Sequence, residues 1–79
     1  MAAPGGLATA FAARSGRVAA FDERVGAGTV RDDESGDVWS FHATSIGDQT
    51  RTIPVGTWVW FTVRPGPLGL EAFALTRRG

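Results

Sequence analysis

Cysteine and lysine are both missing from these 79 residues. Without cysteine, neither a disulfide framework nor a thiolate-held metal can stiffen the chain. The absence also fits a reducing compartment. With one histidine and no cysteine, no metal site and no cofactor is expected. Eight arginines balance eight acidic residues, so the formal net charge is zero. The chain therefore lacks the overall positive field that drives non-specific nucleic-acid binding, although a locally basic face stays open to it. No apolar run approaches the roughly 20 residues of a membrane span. The opening MAAPGGLATAFAARSG has no basic residue ahead of its apolar part, and Leu7–Ala13 is short and alanine-rich. A secretory leader is not expected, and a cytoplasmic location is. There is also no helix-length amphipathic segment, no Ser–His–Asp arrangement, no carboxylate pair on a defensible shared face and no cofactor fingerprint. An enzyme is not expected.

What remains is one domain's worth of chain, short enough that its core is marginal without a closed or well-packed architecture. Residues 1–15 are rich in alanine and glycine, with Leu7 and Phe11 as isolated large apolar residues. They read as a flexible tail ahead of a domain over 16–79. A short helical turn over Ala8–Arg14 that packs Leu7 and Phe11 on the domain is the alternative.

From Gly16 the pattern is of strands. Arg17–Phe21 is the first, Ala27–Asp32 the second, and the polar run Asp32–Asp37 a turn leading to a third over Val38–His42. Residues 43–53 look irregular, with one helical turn at Thr44–Ile46. Thr57–Arg64 is the fourth strand, broken by Arg64-Pro65-Gly66-Pro67, and Gly69–Arg77 is the fifth. Five short strands with Gly/Pro punctuation predict an all-β fold, a small five-stranded OB-type barrel. Alternation places Val18, Val30, Trp39, Phe41, Val59, Phe61, Val63, Ala72 and Leu75 inward. Ala19, Thr29, Arg31, Ser40 and His42 then face outward, with Ile46 and Ile53 over a barrel end.

Gly16-Arg17-Val18-Ala19-Ala20-Phe21-Asp22 follows the pattern G-x-V-K-W-F-N. Val25-Gly26-Ala27-Gly28-Thr29-Val30 follows K-G-F-G-F-I, and Trp39–Ile46 follows V-F-V-H-F-S-A-I. Gly56–Val63 matches G-x-x-V-x-F-x-V, and Gly66–Ala72 echoes G-x-x-G-x-x-A. In order and spacing these pieces resemble the cold-shock domain, from Gly16 to about Arg77. The resemblance implies a binder of single-stranded RNA or DNA, of the RNA-chaperone or gene-expression type. It implies that exposed rings stack on bases. Transferred residue by residue, Phe21 and His42 offer stacking surface, while Arg24 and Arg51 hold phosphates. Asp22 stands where the family has asparagine. Rings are missing at Ala20, Ala27, Thr29, Ser40, Ala43 and Thr50. Each stacked base contributes about 1–3 kcal/mol. Losing three weakens binding a hundredfold or more. Binding is therefore expected to be weak and low in sequence preference.

Several residues have plainer readings. Phe21 suits the edge of a binding face and the core equally. Arg17, Arg24, Arg31 and Arg51 would make a phosphate strip, but acids interleave them, and solubility explains them as simply. A guanidinium plane can also stack on a base. Gly26-Ala27-Gly28 lacks the rest of a phosphate loop. Asp32-Asp33-Glu34 with Asp37 lacks EF-hand spacing, so a solvated turn is expected. Trp58 and Trp60 fall on one face, opposite Val59, Phe61 and Val63. If these are core, both rings point outward. At about 25 cal/mol/Å² and roughly 150–250 Å² per ring, covering both contributes about 8–12 kcal/mol before entropy is charged. The tail through Leu7 and Phe11, a second copy of the chain, or a nucleic acid on a shifted path would cover them. The first two are the expected covers. A barrel that has lost nucleic-acid binding and acts as a protein-interaction module or homodimer through Trp58 and Trp60 is the rival reading.

Overall fold

The computed structural model describes residues 13–48, 50–67 and 69–78. Its strands are β1 (Arg14–Asp22), β2 (Ala27–Asp32), β3 (Val38–His42), β4 (Trp58–Gly66) and β5 (Gly69–Arg77), with one 3-10 turn over Ala43–Ser45. All pairings within the sheet are antiparallel, in the order β3-β2-β1-β4-β5. The sheet curls until β5 meets β3, and a parallel bridge between Ile46 and Leu75 marks the seam. There the Gly47 amide donates to the Leu75 carbonyl at 2.6 Å. This is the expected five-stranded OB-type barrel. No helix of the described residues is long and apolar enough to cross a membrane.

The inward list from alternation largely fills the core. Val18, Val30, Phe41, Val59, Phe61, Ala72 and Leu75 are buried, and Ile46 and Ile53 join them. Trp39 and Val63 are half-buried against this cluster. Gly28 lets β1 and β2 close on each other: a Cβ there would run into the Ala20 carbonyl and Phe21.

Three local features depart from the expectations. β1 begins at Arg14, ahead of the expected boundary at Gly16. Arg14 is drawn in because its guanidinium lies 4.8 Å from the Trp39 ring and 3.0 Å from Asp32 Oδ2. β4 runs through Pro65 to Gly66 instead of breaking after Arg64. Among the described residues its pairing with β1 stops at Phe61 and no ladder partner on that side reaches Pro65, where a proline's missing N–H is harmless. The Asp32–Asp37 turn is not wholly solvated, because Asp32 is only 4% exposed. Its Oδ1 accepts from the Glu34 and Ser35 amides at 2.7 and 3.0 Å. Residues 1–12, including Leu7, Phe11 and most of the tail, lie outside the described residues.

Candidate nucleic-acid interface

A bulge in β1 decides what the outer face of β1–β3 carries. The register slips between Val18 and Ala20, so that Ala19 and Ala20 are both exposed and Phe21 returns to the inner side. Phe21 is half-buried, and its ring stacks on the buried Phe41 at 5.9 Å with 12° between planes. Of its two readings, the structure gives mostly core, with one edge left open.

Across the strands, Ala20 pairs with Thr29 and Thr29 with Ser40, while Asp22 pairs with Ala27 and Ala27 with His42. Small side chains fill these rows except at Asp22 and His42. Ala43, one of the positions where a ring was missed, is buried below the face. Its amide donates to the Gly26 carbonyl at 2.8 Å, which ties the end of β3 to the β1–β2 turn.

His42, Arg24 and the open edge of Phe21 therefore share one end of the sheet. The Arg24 and Val25 amides donate to Asp22 Oδ1, so the aspartate organises this turn. Arg51 lies in the loop ahead of β4, with φ at 63°. No hydrogen bond or ion pair joins it to the other three among the described residues. The loop around it is anchored at Asp48, whose Oδ2 receives Arg77 Nε at 2.8 Å and whose Oδ1 receives the Thr50 hydroxyl at 2.8 Å. The Arg77 guanidinium and the Thr50 hydrogen bonds hold the Asp48 carboxyl down to about 2.

Glu71 is a neighbour that the sequence did not single out. It is 5% exposed, and its Oε1 lies 3.5 Å from His42 Nε2, while the His42 side chain remains more than half exposed. Gly66 makes the room, since any Cβ there would overlap the Glu71 carboxylate. Strand alternation alone puts Glu71 outside. Its burial follows from the side chain that Gly66 lacks across the β4–β5 hairpin.

On the outside of β4 both tryptophans point away from the core, as alternation requires. Trp60 is 44% exposed, and Trp58 is half-buried. Guanidinium groups lie on both: Arg17 is 4.2 Å from the Trp58 centroid, and Arg78 is 5.1 Å from Trp58 and 4.9 Å from Trp60. The described residues contain no group of three or more side chains able to hold a metal ion.

The class this architecture defines is the cold-shock-like, OB-type barrel. Thirty chains of solved structures match it. Among them is Drosophila Unr CSD456, a cold-shock domain structure, with 26% identity and a TM-score of 0.73. The alignment covers 92% of this chain and 29% of that one, so this chain spans under a third of its neighbour's length. No protein-family model and no curated protein matches the sequence.

Proposed function

We propose that this domain, centred on residues 16–79, binds single-stranded RNA or DNA weakly and with little sequence preference, in an RNA-chaperone or gene-expression role. The observation that carries the reading is an exposed imidazole, His42, on the outer side of β3 in a cold-shock-like barrel. It stands beside a turn that presents Arg24 and a smooth row of Ala20, Thr29 and Ser40. Phe21 adds a ring edge, and Arg51 reaches phosphate from the loop. Small outward side chains leave few stacking contacts, and this is why affinity is low.

Fluorescence titration with a pyrimidine-rich single strand at two salt concentrations tests this. A salt-sensitive shift in tryptophan emission is expected. His42→Ala should weaken binding by about fivefold or more, and Arg51→Ala should flatten the salt slope by about 0.7. Silence of the wild-type protein at high micromolar strand would overturn the reading.

A further inference from the structure

The rings missing from β1–β3 reappear elsewhere on the barrel. Trp58 and Trp60 lie outward on β4, and Phe73 lies beside them on β5, paired with Thr62. Arginines alternate with these rings. Arg17 lies over Trp58, Arg78 sits between Trp58 and Trp60, and Arg64 lies 4.8 Å from the Phe73 centroid. Arg78 is held there by its Nη1 donating to Ser15 Oγ at 2.9 Å and its amide donating to the Trp58 carbonyl at 3.0 Å. We propose that this ladder is the main track for unpaired nucleic acid, with bases stacked on Trp58, Trp60 and Phe73 and phosphates held by Arg17, Arg78 and Arg64. The proposal rests on the single-strand reading above and moves its principal contact from the His42 end to the outside of β4.

Spacing supports this occupant. Alternate residues of a strand stand about 7 Å apart. That is roughly twice the 3.4 Å rise per nucleotide in a duplex strand, so an extended single strand meets one ring per base. The charge between Trp58 and Trp60 lies where the linking phosphate would pass.

Charge supports it too. β4 carries no acidic residue, and β5 carries only Glu71, whose carboxylate is turned toward His42. On the β1–β3 side, by contrast, Asp22 and Glu23 precede Arg24, and Asp32 and Asp33 follow Arg31. A second copy docking through the same patch would set arginines against arginines. Residues 1–12 contain no acid to answer them.

The test uses the full chain and an oligothymidylate of about 12 nucleotides, within the span of one OB fold. Trp60→Ala and Arg78→Glu should each weaken binding about tenfold or more, Trp60→Phe should restore most of it, and His42→Ala should cost less than either. Arg78→Glu keeps both rings, so it decides the matter if Trp60→Ala does not fold. Wild-type affinity in Trp60→Ala and Arg78→Glu, with a loss in His42→Ala, overturns the ladder and leaves the single-strand reading standing. No binding by the wild-type chain overturns both. A sedimenting dimer that Trp60→Ala dissociates, with strand affinity unchanged, also overturns the ladder and assigns the patch to a second copy.

Discussion

Asp32 shows how one side chain can serve two elements. One oxygen closes the β2–β3 turn through two amides, and the other meets Arg14 across the barrel end. Burial pushes its carboxyl up, but the Ser35 and Glu34 amides and the Arg14 guanidinium outweigh burial and hold it below the ordinary 3.8. A carboxylate depressed in the folded state adds stability that is whole above its unfolded value and is lost as pH falls through the folded one. Asp48, down at about 2, acts in the same direction. Thermal melts should therefore drop in midpoint as pH falls below 3.8. Asp32→Asn should lose about 1–3 kcal/mol at neutral pH, a fall of roughly 4–8 °C per kcal/mol, and should show a shallower decline in acid. An unchanged midpoint at neutral pH would rule out this role.

Among the elements, β2 is one of three strands paired on both sides, with β1 and β3 as its neighbours. Gly28→Ala forces a methyl group into β1 backbone that cannot swing away. We expect a loss of about 1–3 kcal/mol, comparable to overpacking a core, measured as a shift in denaturant midpoint. The bounds of β2, β3 and β5 were legible to the residue because glycine and turn formers delimit them. The limits of β1 and β4 were not. Arg14 is recruited by Trp39 and Asp32, and Pro65 is tolerated on an edge that no described strand pairs, both facts of three-dimensional neighbourhood. The candidate site was half legible. Alternation placed His42, Trp58 and Trp60 outward, but the β1 bulge that draws Phe21 inward leaves no mark in the pattern. Nor does the sequence pair Arg64 with Phe73, or Arg78 with two tryptophans. Those contacts come from register.

At the scale of the whole molecule, zero net charge hides an uneven distribution. The β1–β2 and β2–β3 turns hold most of the acids, and the β4–β5 hairpin with Arg78 holds three arginines against Glu71. Polarity of this kind orients an approaching polyanion even when the total vanishes.

Among the described residues, the line where β3 faces β5 has no ladder, and a lone bridge between Ile46 and Leu75 stands there. Thermal breathing should begin along that line. In deuterated buffer, the Gly47 amide should exchange well before the amides shared by β1 and β2, and a bound strand that left this order untouched would have to sit away from the gap.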